Sequence, residues 1–533
     1  MPRFQGRPGT LAMVLALPLA IGSQLTACDP APVAPISEPL IFVRGGVLAP
    51  AGTPGQALPD GHVLVERPWR PGESVVVGAA QATAPARAEC VPLFHQDLGD
   101  VQRLIAMGGE APNTSMAWSP DAGSRLAVGS YTGEVLVLDG WTGEVIARRG
   151  FAETMVKHVA WSADGATLYA AEQSPDANVY ALDPTTLAPR WTLRLADLVE
   201  TSAAPSGEDV YGVYKLPAAY GMEVMANGSL LIAALHSWPD SEGARHNASQ
   251  LLVVSPNGEI QARWPETPAD ATLKHPRVFG DRVAVVVGRS ADGPAPTDLP
   301  IGGIQILSLP NLTPIQSVTT PALEPWFKTA NVWEALDLDA EHLLMGFGDG
   351  RLRIVNRAGE DRLSLTTGAP VMAGEVPILA GIGWGLLRNG QAVFNTSGTQ
   401  IPYGALSENM RPPTQHPNEN GLWIVNLDGE PAWSWTGPYN IVGLSMGADA
   451  RHLVVGAGAR SADTRRDLYG ALIFDMDGPD RGGEDRLEAI CPTQGPVFFR
   501  QALSADGRLA LSENPWREED GAVSGTYRVT VLR

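Results

Sequence analysis

Two segments of this chain can be laid over one another. Met116-Ala-Trp-Ser-Pro-Asp-Ala-Gly-Ser-Arg-Leu-Ala-Val-Gly129 matches Val159-Ala-Trp-Ser-Ala-Asp-Gly-Ala-Thr-Leu-Tyr-Ala-Ala171. Each runs on to a second apolar stretch and a second turn, Glu134-Val-Leu-Val-Leu-Asp-Gly in one and Asn178-Val-Tyr-Ala-Leu-Asp-Pro in the other. The order is strand, Asp/Gly turn, strand, loop, strand, turn, strand. Weaker copies begin near Val224, Phe279, Leu338, Gly383, Gly443 and Ala502. A unit of this size cannot bury its apolar face alone, so it must stack on its neighbours.

Four such strands make one blade of a β-propeller. The expected fold is therefore all-β, a single propeller of four-stranded antiparallel blades over residues 90–533. Eight blades are favoured, with seven as the alternative. The 58 glycines and 45 prolines in 533 residues agree with many short strands and turns. The last unit reaches Arg533 after only three strands. An open edge invites aggregation, so a strand from before the first unit, around Val91 to Met107, should close the ring. This places Cys90 at the start of the closing strand and Cys491 on the last strand of the preceding unit. The two either form a disulfide clipping the closure or remain buried thiols.

The Ser-Pro-Asp and Ser-Ala-Asp-Gly turns resemble those of WD-repeat propellers. The turns after Leu138 and Leu182, and tryptophans beyond the turn at Trp191, Trp264 and Trp435, resemble quinoprotein-like repeats. The resemblance covers roughly residues 90–533 and speaks to fold rather than function. It departs from strict WD-repeats: no Trp-Asp dipeptide ends a unit, and the Gly61-His62 pair precedes the repeats.

The N-terminus reads as an address. Arg3 and Arg7 precede an apolar run from Leu11 to Gly22, too short to span a bilayer and suited to a signal peptide. Leu25-Thr26-Ala27-Cys28 resembles the lipobox of bacterial lipoproteins, which implies cleavage after residue 27 and lipid attachment at Cys28. A plain secretory signal is the other reading. Residues 28–89, rich in proline and alanine, read as a tether, with short strands possible at Leu40–Val43 and Ser74–Val77. The expected location is a bacterial cell envelope, held to the membrane through the lipid alone.

Catalytic signatures are weak. Gly443-Leu-Ser-Met-Gly447 has the G-x-S-x-G pattern, but Ser445 aligns with Ser119, Ser162 and Ser504 of the repeat, so a repeat turn is expected. Asp475-Met-Asp-Gly478 falls where other units carry turns and reads as a turn, not a calcium loop. No zinc, phosphate-loop or dinucleotide motif is present, and no cofactor or metal is expected.

Two placements stand out. Long insertions fall between the second and third strands of several units: 237–249, 289–302, 397–421, 458–470 and 514–525. They share one face, the usual binding face of repeat proteins, although neutral loop growth gives the same pattern. Trp238, Tyr403, Tyr469 and Trp516, with Arg411, Arg465 and Arg466, have the residue types that anchor interfaces. The four lysines, Lys157, Lys215, Lys274 and Lys328, each precede or begin the innermost strand of a unit. With His158 and His275 they should form a cationic arc on that face, which Arg500 would join if it holds an anion, in a protein whose formal charge is −20; ordinary solvated surface lysines are the other reading.

These features imply a non-catalytic interaction scaffold for another envelope protein, with a monomeric propeller. The acidic balance argues against nucleic acid. The alternative is an enzyme or small-molecule binder whose arc of lysines and histidines holds an anion at the channel mouth. A passive surface component is a third reading.

Overall fold

The computed structural model describes residues 46–49, 56–57, 63–66 and 88–533, apart from 107–111, 152–153, 203–211, 289–297, 321–331, 374–375, 401–415, 428–430, 437–438, 448, 459–468, 479–485 and 519–520. From Ser115 onward, the strands described pair into successive four-stranded antiparallel units. Unit one comprises Ser115–Trp118, Arg125–Gly129, Glu134–Asp139 and Val145–Gly150. The first strands of units two to eight are Met155–Trp161, Ala218–Val224, Thr272–Phe279, Val332–Leu338, Val376–Arg388, Ile441–Met446 and Ala502–Leu503. Each first strand lies against the first strand of the next unit, and that of unit eight lies against that of unit one. First strands are therefore innermost, and the whole is a closed β-propeller.

Strand periodicity explains the stacking. Successive side chains of a strand point to opposite faces. In unit one, Leu126, Val128, Leu136 and Leu138 pack with Val529 and Val531 of unit eight. The intervening Ala127, Val135 and Val137 pack with Val159, Leu168 and Ala170 of unit two. Middle strands are covered on both faces and read as continuous apolar runs. The outer strand Val145–Gly150 is largely exposed.

The repeated turn is held by its own residues. The Ser119, Ser162 and Ser504 hydroxyls each donate to the aspartate two residues on. Each also accepts a backbone amide at the start of the next strand, at 2.9 Å, from Arg125, which opens its strand, and from Thr167 and Arg508, which immediately precede theirs. A second device links units. Trp161 Nε1 donates to the Ala117 carbonyl of unit one, and Arg125 of unit one lies 4.6 Å from the centre of the Trp161 ring. The same pair recurs at the seam: Trp118 Nε1 donates to the Ala502 carbonyl, with Arg508 over the Trp118 and Trp141 rings.

Ring closure falls where the missing strand was expected. Pro92–Asp97 pairs antiparallel with Arg528–Leu532 as the fourth strand of unit eight. The helix Val101–Ala106 follows, so among the described residues the strand ends at Asp97 and does not fill the expected window. Ahead of the closing strand, Ala88–Glu89 pairs in parallel with Leu487–Pro492, the outer strand of unit seven. Cys90 and Cys491 form a disulfide between these neighbours, with Cα atoms 4.9 Å apart.

Two expectations need correction. The insertion 237–249 is no loop: strands Leu230–Pro239 and Arg245–Val254 run on as a hairpin with a tight turn. Trp238 opposite His246 continues the cross-strand pairing past the core. Likewise 514–525 contains a small hairpin, Trp516–Arg517 with Val523–Ser524. Near the N-terminus, Gly46–Ala49, Gln56–Ala57 and Val63–Glu66 form a three-stranded sheet. Residues 1–27, expected to be a signal peptide, and Cys28, Leu40–Val43 and Ser74–Val77 lie outside the described residues. No helix among the described residues is long and apolar enough to cross a membrane.

Candidate functional site

The innermost strands are irregular in a consistent way. In units two to seven their pairing with the second strand breaks, around Lys157, Tyr220-Gly221, His275-Pro276, Trp333 to Ala335, Gly383-Trp384 and Val442. Bulges re-aim side chains and are frequent beside functional sites. Lys157, Tyr220 and Lys274 are each third in their strands. By register they sit at the end from which the second-to-third connections leave.

Three of these residues meet. Lys157 Nζ lies 4.0 Å from the centre of the Tyr220 ring and 5.9 Å from that of Tyr214. Lys274 Nζ lies 5.4 Å from the same Tyr220 ring. Arg500, in the connection entering unit eight, reaches past unit one to place Nη1 3.4 Å from His158 Nδ1. A guanidinium can only donate, so His158 Nδ1 accepts and the neutral ring carries its proton on Nε2. Burial, then Arg500, Lys157 and His275, hold the His158 pKa well below its ordinary value, against an opposing hydrogen bond with Ala219.

The same surroundings act on the lysines. Burial, then the charges of Lys274 and Arg500, bring the Lys157 pKa down to about 7. Burial alone lowers that of Lys274. Burial raises the hydroxyls of Tyr220 and Tyr214, the latter to about 12, so both remain protonated donors. Among the described residues, neither lysine has a carboxylate partner or a hydrogen-bond acceptor. The Tyr220 ring face attracts both ammonium groups without neutralising them.

Three positions further along, the inner strands carry a balanced layer. Arg277 Nη1 lies 3.5 Å from Glu223 Oε1, and Glu223 accepts the Val278 amide at 3.0 Å. Asp337 accepts the amides of Leu387 and Leu338 at 2.7 and 2.9 Å. Burial raises both carboxyls above their usual range, and Arg277 opposes the shift. The inner face is thus cationic at one level and mixed at the next.

The arc expected from sequence is therefore assembled in part. Lys157, His158, Lys274 and Arg500 converge, and His275 lies within electrostatic reach of His158. Lys215 stands on the 3₁₀ turn Gly212–Lys215 before unit three, with its backbone beside His236. Trp238 is half-buried in a stack, 4.1 Å from the His236 ring and 5.8 Å from that of His246. Tyr469 is only 4% exposed and packs 6.1 Å from Trp516, so this pair braces the neighbouring connections rather than presenting a ring. Trp516 Nε1 donates to Glu518 at 3.0 Å. Lys328, Tyr403, Arg411, Arg465 and Arg466 lie outside the described residues. Tyr220 and Tyr214 were not anticipated, because an aromatic residue in or before a strand reads as core.

The two motif-like segments are structural. Ser445 Oγ accepts the Gln501 amide at 3.3 Å, and a side chain at Gly443 would meet the Phe499 carbonyl oxygen at 1.9 Å. That glycine is required by a neighbouring backbone. Asp475 pairs with Arg451 at 2.6 Å and caps its own turn through the Asp477 amide, while Asp477 pairs with Arg388 at 2.6 Å. No group of metal-ligating side chains occurs among the described residues.

No protein-family model and no curated protein sequence matches this chain. Similar solved structures include the C-terminal WD40 domain of Sif2, at 11% identity and TM-score 0.49, covering 84% of this chain and 99% of that one. The Dos1 propeller gives 11% and 0.48, covering 83% and 94%. The computationally designed Ika8 protein gives 10% and 0.48, covering 79% and 96%. The propeller stands on its own strand pairing and ring contacts.

Proposed function

We propose that this protein is an exported, membrane-tethered propeller that acts as a non-catalytic interaction scaffold for another envelope protein. In this reading residues 1–27 are a signal peptide, Cys28 carries the lipid, 28–89 are the tether and the eight units are the blades of one monomeric ring. The carrying observation is the contrast between the two ends of the ring. One end has short capped turns and arginines spent on neighbours: Arg125 on Gly165, Arg282 on Asp339, Arg388 on Ala450 and Arg508 on Gly140. The other has the long connections and the cationic mouth. An acidic body with a cationic mouth suits an acidic partner surface.

The test is a crosslinked pull-down from solubilised membranes. The intact protein is compared with a variant whose residues 401–415 are replaced by a short Gly-Ser turn. His416 and Asn418 are kept, because they bond the Ala369 and Thr367 carbonyls. A partner captured by the intact protein, and lost from a variant with an unchanged thermal transition, supports the scaffold and its face. Equal recovery, repeated with Arg465→Ala and Arg466→Ala, rejects this face. Cys28→Ser should move the protein to the soluble fraction, and retention on membranes would reject the tether. The unpaired lysines favour a second reading on the same face, a propeller that binds a small anion.

A further inference from the structure

We infer that the channel mouth between Lys157, Lys274 and Arg500 is a binding site for a compact oxyanion carrying at least two negative charges, such as a phosphoryl group or a polycarboxylate. The inference rests on the small-anion reading and is independent of the scaffold. Three cationic side chains from units two, four and eight gather here: Lys157 and Lys274 lie over the Tyr220 ring, and Arg500 sits on His158 within electrostatic reach of Lys157. Two of them are half-buried lysines with no anion among the described residues to compensate them. Aligned like charges are costly unless something answers them. A singly charged ligand would leave most of that repulsion in place, whereas a multivalent oxyanion offers several acceptor atoms to three donors.

The neighbouring groups fit the same ligand. From unit three and the turn before it come the protonated hydroxyls of Tyr220 and Tyr214. Unit one contributes Tyr131, within electrostatic reach of Arg500 and Tyr214. His158 and His275 are the other titratable groups present. Strained pKa values of this kind gather at functional sites. With Lys157 poised at about 7, its own ammonium is about half-protonated near neutrality, and an anion would draw a proton onto it. Binding should therefore weaken as pH rises, by up to about tenfold per unit above pH 7.5.

The experiment titrates the mature protein with inorganic phosphate, citrate and acetate at fixed ionic strength, by calorimetry at pH 8.0 and 9.5, where phosphate and citrate already carry at least two charges. Phosphate or citrate should bind at least about tenfold tighter than acetate, weaken at the higher pH and take up protons in buffers of different ionisation enthalpy. Phosphate tighter than citrate identifies a phosphoryl ligand, and the reverse a polycarboxylate. The double variant Lys157→Gln, Lys274→Gln should lose at least about tenfold in affinity, whereas Arg277→Gln, one layer away, should not. Absence of millimolar binding by both anions, equal binding of acetate, or undiminished binding by the double variant would overturn the site. Failure of the intact protein to capture any partner, with anion binding retained, would overturn the scaffold alone.

Discussion

Lys157 costs the folded protein stability at neutral pH, and the sign can be worked out. In the unfolded chain its ammonium titrates near the ordinary 10.5, and in the folded protein near 7. Between these values the unfolded state holds more protons, so this group's contribution to stability rises with pH. It is least favourable below 7. Lys157→Met should stabilise the protein by about 1–2 kcal/mol at pH 6, after allowance for solvent in the channel, with the gain shrinking toward pH 9. Thermal denaturation at the two pH values checks this, and a constant gain would exclude the titration. Gly443→Ala acts in the other direction. Its added carbon has no room beside the Phe499 carbonyl, and a loss of about 2–4 kcal/mol in denaturant unfolding is expected. At this scale the sequence was readable where charge is rare. Four lysines in an arginine-rich chain drew attention to two innermost strands, which hold Lys157 and Lys274, whereas Lys215 stands on a turn and Lys328 lies outside the described residues. Tyr220 could not be read, because its role depends on a bulge that no residue pattern announces.

Among the elements, the repeated turn was the most legible. A serine and an aspartate satisfy the turn with their own side chains, so the same letters recur wherever the turn does. Arg508 shows what such a turn can carry. It is 0% exposed, and it donates to the carbonyls of Gly140, Gly123 and Ala122 while pairing with Asp506. Arg508→Met would strand Asp506 and three carbonyls, a loss of about 3–5 kcal/mol. The same change at Arg125, which stands at the equivalent repeat position but is partly exposed, should cost about 1 kcal/mol. Chemical denaturation of the two variants side by side measures the difference, and equal losses would mean that the seam is no more committed than an ordinary junction. The hairpin of unit three was not legible. Beyond Leu235 its strands add little to the core besides Trp238 and Ala248, and a polar stretch with Pro239 and Gly243 reads as a loop even though pairing continues.

For the whole molecule, the arithmetic of three strands at the C-terminus and one spare at the N-terminus was enough to foresee how the ring shuts. It rests on a count and a physical need to cover an edge, not on any motif. The disulfide holds that closure from the side. Cys90→Ser with Cys491→Ser should lower stability by about 2–5 kcal/mol, seen as an earlier thermal transition. An unchanged transition would mean that the pairing of Pro92–Asp97 with Arg528–Leu532 suffices alone. The Cys90 bridge also decides how the ring bears load. A pull on the chain ahead of Ala88 arrives first at the short parallel pairing with Leu487–Pro492, and then at a covalent bond to that same strand. Tension is handed to unit seven and stops there, so the closing strand, which begins two residues further on at Pro92, is not peeled away from unit eight. Cutting the bridge would turn the same pull into an unzipping force on the strand that completes unit eight.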